Sequence, residues 1–136
     1  MTRDEVIAYI KKAQLGYLAT IGADNTPRVR PVFVKDVYGD DLYFHTLSTT
    51  RKVAEMASNP HVEVVWAEMQ AMSQVRIRGT AAVVEDEATK ERFLADNPMA
   101  TQMLPEEARP LVRLYKVHPQ TVEWAQGPVP YSQVDW

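Results

Sequence analysis

The chain opens with a helix-start signal followed by apolar residues at helical spacing. Thr2 and Glu5 have the spacing of a capping box, in which two side chains satisfy free backbone N–H groups at the start of a helix. Val6 and Ile10 then fall on one face of a helical repeat, with charged residues around them. The pattern predicts a helix over residues 3–13.

Most of the remaining chain consists of short apolar segments separated by turn-forming residues. Turn formers are dense between Gly22 and Pro27 and again between Gly39 and Asp41, so the first three strands are predicted to form an antiparallel meander. Gly79 interrupts a long strand and is expected to be a bulge or a bend. The predicted strands are residues 15–21, 28–37, 42–46, 61–67, 73–84, 111–117 and 121–126.

Helical segments are expected between these strands. Thr49 or Thr50 is predicted to cap a short helix that continues to Ala57 and stops before Pro60, because proline disfavours helical geometry in the residue before it. Residues 85–95 are predicted to be a helix, residues 97–110 an irregular helical segment, and residues 127–136 an irregular tail. Six or seven strands whose edges are closed or covered favour a small antiparallel β-barrel with peripheral helices.

Composition narrows the classes of function. A length of 136 residues predicts a single domain over residues 1–136, and the absence of cysteine excludes disulfides and thiolate chemistry. A formal net charge of −3 argues against a nucleic-acid partner. Neither a signal peptide nor an apolar run near the ~20 residues of a membrane helix is visible, so a cytoplasmic protein without a membrane partner is expected. The histidines lack metal-ligand spacing, so no metal site is expected.

Thr50, Arg51 and Lys52 stand at the predicted start of the short helix. The N-terminus of a helix presents unpaired backbone N–H groups and a partial positive charge. A hydroxyl, a guanidinium and an ammonium group added there would suit a phosphate. The alternative is a threonine cap followed by two solvated cations.

Arg30 and Lys35 lie on one predicted strand, at positions that a regular strand points to opposite faces. Pro31 belongs at an edge or a bulge, and a bulge would return both cations to one face. The alternative is that both are charges at the rim, with Val32 and Val34 in the core.

A polar face recurs along the strand over residues 73–84. Gln74, Arg76 and Arg78 alternate with apolar residues, and the Gln74 amide can both donate and accept hydrogen bonds. The alternative is a plain solvent-facing strand. Met99 and Met103, at near-helical spacing, are expected to fill a gap in the core, with the lining of a pocket as the alternative.

Together these residues resemble the pyridoxamine 5'-phosphate oxidase-like family, the FMN-binding split barrels. Its motifs are an Arg-x-Val-x-x-Lys strand, an aromatic-Thr pair, a Ser-Arg-Lys phosphate turn and a Gln-Val-Arg strand. In this chain they read Arg30-Pro31-Val32-Phe33-Val34-Lys35, His45-Thr46, Thr50-Arg51-Lys52 and Gln74-Val75-Arg76. His45 replaces the usual aromatic residue, and Thr50 replaces serine. The chain is more similar to the short general-stress and nitroimidazole-reductase-like members than to the oxidases that act on vitamin B6.

The resemblance implies a six- to seven-stranded antiparallel split β-barrel with FMN at the two-fold interface of a homodimer. Arg51 and Lys52 would hold the phosphate, and Thr46 or Thr50 would add a hydroxyl contact.

The flavin ring and ribityl chain are expected to lie along residues 30–35. Arg30 or Lys35 would stand near the pyrimidine edge of the ring. Gln74 would contact the ring or the ribityl chain, from the second subunit where the site is shared.

The implied activity is that of an FMN-dependent oxidoreductase acting on an unidentified small molecule or electron donor, with no catalytic residue identified. A flavin carries its own hydride chemistry, so the protein need supply only position and electrostatics. The alternatives are a non-catalytic flavin or haem carrier and a reductase that uses deazaflavin F420. A haem would require a histidine as iron ligand.

Overall fold

The structure is a computed structural model, and it describes all 136 residues of the chain. Thr2 and Glu5 form the predicted capping box, and the first helix has the predicted bounds. In chain order the elements are α1 (Arg3–Ala13), β1 (Leu15–Ile21), β2 (Pro27–Phe33), β3 (Asp36–Tyr38), β4 (Asp41–Leu47), α2 (Arg51–Ser58), β5 (His61–Glu68), β6 (Ser73–Val83), α3 (Glu87–Asp96), α4 (Met99–Gln102), a 3₁₀ helix (Glu106–Leu111), β7 (Val112–Gln126) and β8 (Ser132–Gln133).

The eight strands form one antiparallel sheet in the order β2-β1-β5-β6-β7-β4-β3, with β8 added to β7. β2 ends one side of this order and β3 ends the other, so hydrogen bonds do not close the barrel. The sheet nevertheless curls until β2 comes close to β4. The predicted antiparallel, mainly β fold with peripheral helices is confirmed, and the gap between β2 and β4 is the opening of the split barrel.

The core lies inside the curled sheet and is closed by α1 and α2. Trp66, Phe44 and Ile77 are fully buried there, and Val6 and Ile10 of α1 pack onto the same cluster. None of the helices has the length and the apolar character needed to cross a bilayer.

The strand predicted over residues 28–37 is wrong in one respect, because two strands stand where one was expected. β2 pairs with β1 only as far as Phe33. The next N–H, that of Val34, donates to the Gln14 carbonyl at 3.2 Å, and β3 then pairs with β4. Val34 is fully buried, and its carbonyl accepts the Trp66 indole N–H at 3.2 Å. The apolar pattern therefore continues through the break and hides it.

The two strands predicted over residues 111–117 and 121–126 are one strand, β7. Arg78 pairs with Thr121 and Gly79 pairs with Pro119, so Gln120 is an extra residue that bulges from β7. The bulge predicted at Gly79 is present, and its inserted residue lies on the neighbouring strand. The segment predicted as irregular helix over residues 97–110 is α4 plus the 3₁₀ helix, and the tail contributes β8.

Gly79 is required at the bulge because the backbone of β7 approaches it closely. A Cβ atom there would lie 2.1 Å from the His118 carbonyl oxygen. We expect Gly79→Ala to lower the free energy of unfolding by about 2 kcal/mol or more, the cost of overpacking against backbone. The matched control is Gly39→Ala, where nothing lies within 4 Å and only the φ of 58° opposes a side chain. Denaturant titration compares the two, and a Gly79→Ala protein as stable as the control would contradict the close approach.

Candidate functional site

The opening between β2 and β4 gathers most of the candidate residues. β2 is an edge strand, so its outer backbone edge carries no sheet hydrogen bonds. β4 supplies His45 and Thr46, and the chain leaves β4 directly into the start of α2. Strand, turn and helix therefore place backbone donors, hydroxyls and cations at one end of the opening.

The start of α2 lacks the side-chain cap that the sequence predicted. Thr50 occupies the N-cap position with extended backbone, but its hydroxyl donates to the Leu47 carbonyl at 2.8 Å. The same hydroxyl lies 3.2 Å from that of Thr46, which is buried. No side chain therefore occupies the first N–H groups of the helix, which ordinarily bind a cap, water or an anion.

Two cations follow this uncapped start. Arg51 is exposed, Lys52 is half-buried, and neither forms an ion pair with a carboxylate. Burial lowers the pKa of Lys52, the charge of Arg30 lowers it further, and Glu55 opposes both. An anion bound beside Lys52 would supply the counter-charge that the site lacks.

Arg30 lies under α2. Its guanidinium donates to the buried Glu55 carboxylate at 2.5 Å and to the Thr20 hydroxyl at 2.6 Å. The Thr20 hydroxyl in turn donates to Glu55 at 3.0 Å. The pair joins β2 to α2 and brings the charge of Arg30 towards Lys52. The sequence analysis missed Glu55 and Thr20, because nothing in the pattern relates Arg30 to residues so distant in the chain.

A cavity of about 460 Å³ lies beyond the end of β2, against α3 and α4. Three candidate residues line it, namely Phe33, Lys35 and His45. Met99 and Met103 line it too and are 55% and 75% exposed, so the expectation that they fill a gap in the core is wrong. The cavity combines apolar and aromatic side chains with the Lys35 ammonium group and the carboxylates of Asp36 and Asp96, and its volume is in the range of small-molecule sites.

His45 forms part of the cavity wall. Its ring centroid lies 5.8 Å from that of Phe93, and burial lowers the pKa of the imidazole while Asp36 opposes the shift. The neutral form is therefore favoured at pH 7. A neutral imidazole offers one donor and one acceptor rather than a charge.

The remaining candidates on β2 divide between core and surface. Val32 and Val34 are buried in the core, whereas Pro31 is exposed on the edge strand. The pairing of β2 with β1 is regular through Pro31, so no bulge brings Arg30 and Lys35 to one face. Arg30 points towards α2, and Lys35 lines the cavity beyond the strand end.

Gln74 lies apart from these residues, on the outer face of the sheet. No hydrogen bond or ion pair connects it with another candidate residue. Its neighbours on the same strand do have hydrogen-bond partners. Arg76 donates to Glu123 at 2.7 Å, and Arg78 donates to the Thr121 hydroxyl at 3.1 Å. One chain therefore does not bring Gln74 to the opening between β2 and β4.

Comparison with known proteins gives a consistent family assignment. A family model described as pyridoxamine 5'-phosphate oxidase matches residues 2–124. A pyridoxine/pyridoxamine 5'-phosphate oxidase from Psychrobacter sp. (strain PRwf-1) is 39% identical over 88 residues, which are 63% of this chain and 40% of that protein. The chain thus spans less than half the length of the curated relatives it matches.

Solved structures show the same fold over nearly the whole chain. General stress protein 26 from Bacillus anthracis str. Sterne is 23% identical and superposes with a TM-score of 0.75, covering 98% of this chain and 99% of that one. A pyridoxamine 5'-phosphate oxidase-related, FMN binding protein from Nostoc punctiforme PCC 73102 is 17% identical, with a TM-score of 0.70, covering 96% of this chain and 88% of that one. The expected split-barrel fold is confirmed, and the chain belongs to the pyridoxamine 5'-phosphate oxidase family.

Proposed function

We propose that this protein binds FMN and is an oxidoreductase acting on an unidentified small molecule. The observation that carries the proposal is the uncapped start of α2, where the hydroxyls of Thr46 and Thr50 lie 3.2 Å apart and the first turn of the helix carries two cations without carboxylate partners. Family membership and the FMN binding protein among the structural neighbours support the choice of ligand.

The phosphate of FMN would lie at the start of α2. Arg51 and Lys52 would pair with it, and the hydroxyls of Thr46 and Thr50, 3.2 Å apart, would turn to donate to its oxygens. Helix N-termini favour such an anion through their free N–H groups and their partial positive charge. Arg30 would contribute its charge from beneath while it remains bonded to Glu55.

The ring of the flavin would extend from that anchor along the free edge of β2. Backbone groups of residues 30–35 at this edge would contact the ring and the ribityl chain, and Phe33, Lys35 and His45 would surround the end of the ring. When bound, FMN would supply hydride chemistry. In this arrangement Lys35 would place a positive charge where the reduced ring becomes anionic, and the carboxylates of Asp36 and Asp96 in the same lining would oppose it.

Gln74 would complete the site from a second copy of the chain, since its own subunit holds it on the outer face of the sheet. An exposed apolar surface accompanies it there, formed by Leu15, Tyr17, Val29 and Phe33 of β1 and β2. Tyr17 pairs with Val65 and Val65 with Arg76, so apolar and polar residues share one face. We propose that this outer face forms a two-fold homodimer interface.

The identity of the cofactor is tested by the chromophore that leaves the denatured protein. We expect about one FMN per chain after loading with a flavin mixture and gel filtration, because the α2 anchor is suited to one terminal phosphate. Chromatography of the released chromophore separates FMN, FAD, riboflavin and F420, and a Soret band would identify haem. Recovery of FAD, F420 or haem in place of FMN would contradict the proposal.

A further inference from the structure

A second cavity, of about 370 Å³, adjoins the one that holds Lys35. His45 and Phe93 line both cavities, so the two cavities meet at these side chains. Apolar side chains form much of the remaining wall, among them Val84, Leu94 and Leu114. The volume and the lining are those of a site for a small organic molecule.

The polar part of this wall is mainly positive. Lys90, Arg109 and Arg113 line it, with Glu85 as the single carboxylate. Lys90 already pairs with Glu87 at 3.0 Å, so its charge is partly compensated. The two arginines have no carboxylate partner and therefore give the cavity its uncompensated charge.

Both arginines are held in place by backbone carbonyls while keeping free donors. Arg109 donates through Nε to the Thr101 carbonyl at 3.2 Å, and its Nη groups make no hydrogen bond within the protein. Arg113 donates through Nη1 to the Pro110 carbonyl at 3.0 Å, which leaves Nη2 unbonded. A planar guanidinium with free donors suits the two oxygens of a carboxylate.

We propose that this cavity binds a small carboxylate with an apolar body and is the substrate site of the flavin centre. The carboxylate pairs with Arg109 and Arg113, and the body lies against Phe93 and Leu94 and reaches His45, where the two cavities meet. This assignment rests on the proposed function, because only a flavin that reaches the junction at His45 and Phe93 from the neighbouring cavity makes the bound molecule a substrate. The Glu85 carboxylate in the cavity lining would repel a second negative charge on the bound molecule.

The test uses 2-naphthoate as probe and the neutral 2-naphthamide as its matched control. Calorimetric titration of the full chain is expected to give a dissociation constant at least tenfold lower for the acid than for the amide. The double variant Arg109→Gln, Arg113→Gln is expected to lose that preference while binding the amide within about twofold of wild type. A control variant, Lys11→Gln, Arg92→Gln, removes two cations that do not line the cavity and is expected to keep the preference.

The outcomes separate this inference from the proposed function. Equal affinity for acid and amide, or a preference that survives in the Arg109/Arg113 variant, would overturn the carboxylate site even if FMN binds. In FMN-loaded protein, saturating 2-naphthoate is expected to shift the flavin absorbance in wild type but not in that variant. An unshifted spectrum would overturn the substrate role. Failure of FMN binding with the acid preference intact would remove the substrate role along with the proposed function and support the carboxylate site alone.

Discussion

Replacing Arg51 and Lys52 together with alanine is expected to weaken FMN binding at least tenfold and to change riboflavin binding much less. Each side chain would lose a charge-assisted contact with the phosphate, worth ~1.5–3 kcal/mol where it is well aligned and sheltered from water. Lys52 is half-buried and the better sheltered of the two, whereas Arg51 is exposed and contributes less. Riboflavin lacks the phosphate, so the substitution removes nothing that it contacts at this end.

Fluorescence titration of both flavins against wild type and variant measures the effect. The matched control is Lys11→Ala, Lys12→Ala, which removes two adjacent exposed cations from the end of α1, far along the chain from the site. The control is expected to bind both flavins as wild type does. Equal losses for FMN and riboflavin in the Arg51/Lys52 variant would show that these residues act through folding rather than on a phosphate.

Local patterns in the sequence were sufficient to predict the helices and strands that are determined by interactions between residues close in the chain. The capping box of Thr2 and Glu5 predicted where α1 begins, since both partners lie within one helical turn. The break at Val34 was missed for the opposite reason. The Gln14 carbonyl takes over the Val34 N–H, while the buried side chain keeps the apolar pattern of a strand.

The surroundings of the site could not be predicted because they depend on contacts between distant segments. Arg30 or Lys35 was expected near the pyrimidine edge of the ring, and no pattern in the sequence indicated that the Arg30 guanidinium is bonded to Glu55 and Thr20 under α2. Met103 is an apolar residue of a kind common in cores, but it lies at the C-cap of α4, 75% exposed, and lines an open cavity instead. Motif spacing indicates which residues belong together and leaves their orientation undetermined.

The cavity proposed to bind a carboxylate also depends on contacts between distant segments of the chain. Lys90 comes from α3, Arg109 from the 3₁₀ helix and Arg113 from β7, and no motif joins them. They meet because α3 packs over β4 and β7 through Phe93, which shares a small core with Tyr43. A cluster assembled by packing is visible only once the fold is known.

The largest effect on assembly is expected from a charge placed on the outer face of β2. Val29 is 65% exposed there, although it lies among apolar neighbours on an edge strand. We expect the wild type to be a homodimer and Val29→Asp to raise the dimer dissociation constant at least tenfold, because the carboxylate would lose its water without gaining a partner. Val129→Asp is the matched control, since Val129 is 54% exposed in the tail, outside the strands β1 and β2 that carry the apolar surface.

The same pair of variants tests whether the flavin site is shared between subunits. If Gln74 of a second copy completes the site, FMN binds the dimer better than the monomer, and mass action makes FMN tighten assembly. Light scattering across a dilution series, with and without FMN, is expected to show the wild-type dimer persisting to lower concentration when FMN is present. Val29→Asp should then bind FMN more weakly in proportion to its monomer fraction, and Val129→Asp should match wild type. A monomeric Val29→Asp protein that binds FMN with full affinity would refute the shared site and place the whole flavin contact within one chain.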